Sequence, residues 1–122
     1  MKDAYIVLVC GDRKYVDRDK VYDVLDAYHS RIGPTMLLLN GGAAGADTLA
    51  REWAVDRKVD HMTLYAKWQV FGKSAGPIRN RRMAKRKPRL VLAFHPNLDE
   101  SRGTADMIKL ALAREVKVKK FT

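Results

Sequence analysis

One cysteine, four prolines and a long interval without any carboxylate mark what this 122-residue chain is short of. The lone Cys10 cannot close an internal disulfide, which fits a reducing compartment. Uninterrupted apolar runs such as Ala4–Cys10 and Met36–Leu39 fall far below the ~20 residues a membrane helix needs, so no bilayer span is expected. Met1-Lys2-Asp3 leads into an apolar run with no small-residue cleavage site, so no signal peptide is read and a cytoplasmic location is expected. His29, His61 and His95 lack metal-ligand spacing and Cys10 has no Cys or His neighbour at such spacing, so neither a metal nor a resident cofactor is expected. Walker, dinucleotide-fingerprint and G-x-S-x-G motifs are absent as well. What is present, 47% hydrophobic and 31% charged residues, describes one globular domain over residues 1–122. A homo-oligomer is compatible with this composition, although no heptad or apolar stripe specifies one.

The formal charge is +10, and its position matters more than its size. From His61 to Leu98 there is no Asp or Glu, while Lys67, Lys73, Arg79, Arg81, Arg82, Lys85, Arg86, Lys87 and Arg89 are all cations. The rest of the chain is close to neutral, with 15 Lys and Arg against 14 Asp and Glu. A field this one-sided meets an anion, either phosphate on a small ligand or a nucleic-acid backbone, unless it serves only solubility.

Buried-strand runs alternate with helical periodicity. Tyr5–Val9 reads as a strand stopping at Gly11, and Asp17 caps a helix with Val21, Val24, Leu25, Tyr28 and Ile32 on one face. Met36–Leu39 is a second strand that enters the turn Asn40–Gly45, followed by a helix with Ala46, Leu49, Ala50, Trp53 and Ala54 at core spacing. Val59–Tyr65 reads as a third strand, Lys67–Gly76 as a loop, and Pro77 as the first residue of a basic helix. Arg89–Phe94 is a fourth strand and Val116–Val118 a fifth. The helix between them, from about Thr104 to Glu115, turns Ala105, Ile108, Ala111 and Leu112 inward. The class is therefore α/β, a small Rossmann-like three-layer sandwich with a mainly parallel sheet of about five strands. Such sheets bind ligands beyond the carboxyl ends of their strands, where every glycine-rich or charged motif of this chain falls.

Three motifs carry the chemistry. In Asn40–Asp47, glycines 41, 42 and 45 allow close backbone approach, and the following helix N-terminus offers N–H groups and positive dipole to an anion; a purely structural turn is the competing reading. Asp47 serves either its own helix or a ribose hydroxyl. Ser101, Gly103 and Thr104 repeat the strand-to-helix location, with Ser101 or Thr104 equally able to act as an N-cap, and two such turns on adjacent strands can converge on one ligand. In the basic helix, Arg79, Arg82 and Arg86 occupy overlapping faces, and one or two of these arginines suit bidentate phosphate binding. Trp68 and Phe71 precede that helix, and either packs under the loop or stacks on a base, with Trp68 the stacking candidate.

Gly11-Asp12-Arg13, GGAAGADTLAREWA from Gly41, AKWQVFGKSAGPIRNRRMA from Ala66 and RGTADMIKLA from Arg102 resemble the YspA-type, cpYpsA-related branch of the SLOG superfamily, a bacterial and phage group that includes the DprA/Smf and LOG proteins. The resemblance implies a Rossmann-like domain that senses or processes nucleotides or their derivatives. By motif it assigns Gly11, Arg13, Gly41, Gly42, Gly45, Asp47, Arg79, Asn80, Gly103 and Thr104 to the site. Two departures stand out. LOG phosphoribohydrolases are similar in a G-G-x-G-T-x-x-E turn with a catalytic glutamate, but that position here is Met107, beside Asp106. The family's proline-alanine-aspartate-tryptophan stretch stands here as Tyr65-Ala66-Lys67-Trp68.

The leading expectation is a phosphorylated small-molecule partner of nucleotide type, held on the glycine turns and on Arg79 or Arg13. Two alternatives stay open: binding of single-stranded nucleic acid, and hydrolysis of a glycosidic or phosphate bond with Asp47 or Asp106 as candidate acid or base.

Overall fold

A computed structural model describes residues 3–97 and 101–122. Its elements run β1 (Tyr5–Gly11), α1 (Arg18–Ile32), β2 (Met36–Asn40), α2 (Ala46–Arg57), β3 (Asp60–Thr63), α3 (Trp68–Phe71), α4 (Ala75–Lys85), β4 (Leu90–Phe94), α5 (Arg102–Ala113) and β5 (Lys117–Phe121). All strand pairings are parallel, in the order β3-β2-β1-β4-β5. The fold is thus the expected Rossmann-like α/β sandwich.

Strand alternation explains the two cores. Along β1, Val7 and Val9 point to one layer while Leu8 and Cys10 point to the other; β4 divides Leu90, Leu92 and Phe94 from Val91 and Ala93 in the same way. Parallel strands covered on both faces must be apolar throughout, and all five residues of β4 are buried. Residues of α1 and α2, with Trp53 fully buried, close the first core; Met83 and Ala84 of α4 and Met107, Ile108 and Ala111 of α5 close the second. A right-handed crossover demands this split, because the chain builds leftward from β1 through β2 and β3 and then returns to build rightward through β4 and β5. The order reverses between β1 and β4, where the splayed loops open a crevice.

Several local expectations are corrected. The segment read as a loop holds the short helix α3 and a 3₁₀ turn over Gly72–Ser74, so α4 begins at Ala75 and Pro77 is its third residue, where its missing N–H is still no loss. The third strand is shorter than Val59–Tyr65 and largely exposed, since it lies at the sheet edge. On α5, Ala105 and Leu112 face solvent, and Thr104, Met107, Ile108 and Ala111 form the inward stripe. The turns after β2 and β4 do not follow adjacent strands, because β1 runs between them.

Candidate functional site

A cavity of about 380 Å³ lies at the β1/β4 reversal point, with walls from the ends of both strands, the α1 approach, α4 and the start of α5. A second, of about 300 Å³, is lined by Gly41, Gly42, Tyr65 and Trp68. Arg13, Ala43 and Arg79 belong to both, so these residues form a ridge between two lobes.

The glycine turn after β2 is held by its own side chains. Asp47, 5% exposed, accepts the Gly41 N–H at 2.7 Å and the Ala43 N–H at 3.4 Å through Oδ2. Asn40 accepts the Gly42 N–H at 2.8 Å and donates to the Thr63 hydroxyl, while the Ala46 N–H reaches the Asp12 carbonyl. Most of the donors expected to grip an external anion are therefore taken internally. Burial raises the Asp47 carboxyl to about 6, against the opposing pull of the two backbone N–H groups, Arg79 and Arg13. Gly45, at φ 76°, brings the turn so close to the β1–α1 loop that a Cβ would overlap the Asp12 carbonyl. It lines neither cavity, so its role is to seat the turn.

Arg79 enters from the first turns of α4. Its Nε donates to Asn80 Oδ1 at 3.0 Å and its Nη1 to the Gly41 carbonyl at 2.5 Å, with the guanidinium lying over Gly41 where any Cβ would collide. No carboxylate lies within ion-pair distance of it among the described residues, where the three ion pairs are Arg18 with Glu52 and Asp56 and Arg57 with Asp26. Burial lowers its proton affinity, and the nearby Asp47 offsets part of that. Asn80, buried, also donates Nδ2 to the Gly103 carbonyl at 3.2 Å and to Asp106 Oδ2 at 2.9 Å. One amide thus fixes the arginine on one side and the head of α5 on the other.

That head forms the facing wall. Ser101 Oγ accepts the Thr104 N–H at 3.2 Å as the N-cap, and Ser101, Arg102, Gly103, Thr104 and Met107 all line the larger cavity. Gly103 has open space where a side chain would stand. The structure therefore brings together Gly11, Arg13, Asp47, Arg79, Asn80, Ser101, Gly103 and Thr104 in one lobe, and Gly41, Gly42 and Trp68 with the shared arginines in the other. Arg82 and Asp106 join neither. Arg82 points from the exposed face of α4, and Asp106 is turned away to Asn80, leaving Met107 at the wall. Trp68, 47% exposed, packs over Gly76 and carries the Arg13 guanidinium 5.6 Å from its ring centroid.

Sequence reasoning missed His95, which follows β4 directly and lines the larger cavity while only 7% exposed. The Asn97 N–H donates to its Nδ1 at 2.8 Å, so the neutral ring carries its proton on Nε2 as a donor. The signal was available, because His95 stands at the carboxyl end of a buried strand as Gly11 does. Cys10 also lines the cavity, but burial first, then the Asp47 charge, pushes its thiol proton affinity up, so it stays an inert thiol.

Comparisons with known proteins agree with this architecture. The Gene 61 protein of Mycobacterium phage D29 is 32% identical over 120 residues, covering 94% of both chains. The solved structure of DNA processing protein A (DprA) from Streptococcus pneumoniae shares the fold, with a TM-score of 0.61 at 16% identity over 97% of this chain. This chain spans 59% of that longer one. A family model matches residues 5–71, the stretch holding β1, the glycine turn and Trp68, and the chain belongs to the YspA, cpYpsA-related SLOG family.

Proposed function

We propose that the crevice binds a phosphate-bearing nucleotide derivative, with phosphate between Arg79, Arg13 and the head of α5, and the base or sugar toward Tyr65 and Trp68. One observation carries this reading: Arg79 is a half-buried guanidinium, locked in place by two hydrogen bonds, at the junction of two cavities and without an ion-pair partner among the described residues. Desolvating a cation is costly unless an anion compensates it, and a fixed guanidinium offers its remaining N–H groups in the fork that phosphate accepts. Family membership supports a nucleotide-type ligand. The reading is binding rather than turnover, because, of the two candidate acids, Asp47 is held by the Gly41 and Ala43 N–H groups and Asp106 is engaged by Asn80, and the wall position next to Asp106 is a methionine.

Calorimetry against nucleoside monophosphates, ADP-ribose and NAD tests it. At least one of these binds, and Arg79→Ala weakens it by about 10- to 100-fold, as loss of a charged hydrogen-bonding partner does. Absence of binding to every ligand, or unchanged affinity in Arg79→Ala, would falsify the proposal.

A further inference from the structure

The two helical layers differ in charge. Residues 17–58, which build the α1/α2 layer, carry six Lys and Arg against seven Asp and Glu. Residues 75–116, the stretch of sequence that contains α4 and α5, carry ten against four. Pairing follows the same division: all three ion pairs among the described residues join α1 to α2. On α4 the inward positions are Ala75, Gly76, Asn80, Met83 and Ala84. Arg81, Arg82, Lys85 and Arg86 are thereby left exposed on the outer side, followed by exposed Lys87. None of these five side chains has a hydrogen bond, ion pair or ring contact with any described residue.

Such a row contributes nothing evident to folding and costs self-repulsion. Phe71, 45% exposed, stands shortly before α4, whereas Trp68 belongs to the crevice, where it packs over Gly76 on the inward side of the helix. Unpaired cations along a helix match the phosphate row of a single-stranded nucleic acid, and the partly exposed Phe71 ring offers a face to an unstacked base. An acidic protein surface would use the cations and leave the Phe71 ring idle.

We propose that the outer face of α4, with its row of cations from Arg81 to Lys87, is a docking surface for single-stranded nucleic acid, separate from the crevice. Eleven residues of helix span about 16 Å, enough for about four phosphates at once. Arg82, which lies outside both cavities, belongs to this surface.

Fluorescence anisotropy with a labelled 20-nucleotide oligothymidylate over a chloride series reads it out. The intact chain binds with a logarithmic salt slope of about −3, so affinity drops about 60-fold between 50 and 200 mM salt. Arg82→Glu/Lys85→Glu/Arg86→Glu lowers affinity at least tenfold and flattens the slope by about 2, while nucleotide binding in the crevice stays as it was. Retention of oligonucleotide binding in Arg79→Ala separates this surface from the crevice even if no small nucleotide binds there. Four outcomes overturn the proposal: no oligonucleotide binding at 50 mM salt, loss in Arg79→Ala but not in the triple variant, tighter binding of a duplex of equal length, or binding to anionic lipid vesicles instead of the oligonucleotide.

Discussion

Asp47 is the residue where fold and site meet. Its carboxylate closes the glycine turn through the Gly41 and Ala43 N–H groups and lies in the field of Arg79, yet burial keeps its proton affinity high, at about 6. A carboxyl raised above its ordinary value favours the folded state when protonated. That contribution is complete below about pH 4 and is lost as pH rises through about 6. Asp47→Asn keeps an oxygen for the turn and does not titrate, so its stability relative to the parent rises by about 2–3 kcal/mol between about pH 4 and pH 7. Urea unfolding of both proteins across that range measures the difference; a flat difference would place the carboxyl at its ordinary value. The sequence identified Asp47 as a site residue but not as the turn's own anion, since that depends on which way a first-turn side chain points. Asn40 and His95 escaped for a related reason: each closes a buried strand, a place where apolar periodicity carries no information.

At the scale of elements, what was legible depended on how unambiguous the pattern was. Strands bounded by glycine, such as Tyr5–Gly11 and Met36–Asn40, are continuous apolar runs, and the helices after them begin at a cap or a glycine turn. The four residues of α3 are too few to show a period, so the segment read as loop. The phase of the last helix is legible at Ile108 and Ala111 but not at Ala105 and Leu112, because α5 is apolar nearly all round, with Ala105, Met107, Ile108, Leu110, Ala111 and Leu112 offering two stripes. Packing against Met83 and Ala84 of α4 selects the stripe of Met107, Ile108 and Ala111. Two substitutions that look alike in sequence therefore differ in effect. Ile108→Ala, at 8% exposure, costs about 2–4 kcal/mol through lost burial and a residual cavity. Leu112→Gln, at 59% exposure, stays within about 0.5 kcal/mol. Denaturant midpoints for the pair decide the phase, and equal costs would return Leu112 to the core.

Across the whole molecule the layers respond oppositely to salt. The α1/α2 ion pairs involve side chains 42–48% exposed, and pairs in that setting contribute about 0–1 kcal/mol each, a gain that added salt removes. The α4/α5 layer holds unpaired like charges, and β5 adds exposed Lys117, Lys119 and Lys120 at the sheet edge, where lysines also discourage strand addition. Repulsion among these groups is long-ranged at low ionic strength and is screened once the Debye length falls, from about 20 Å near 20 mM to about 6 Å near 300 mM salt. With more charges repelling than pairing, screening stabilises this chain. Raising sodium chloride over that range lifts the melting temperature by about 4 °C, equivalent to about 1 kcal/mol for a domain of this size. Circular dichroism melts of the parent and of Lys85→Glu/Arg86→Glu locate the source. The double variant starts from a higher low-salt melting temperature and gains less from salt, whereas a melting temperature that falls with salt in the parent would mean that the α1/α2 pairs outweigh the basic layer.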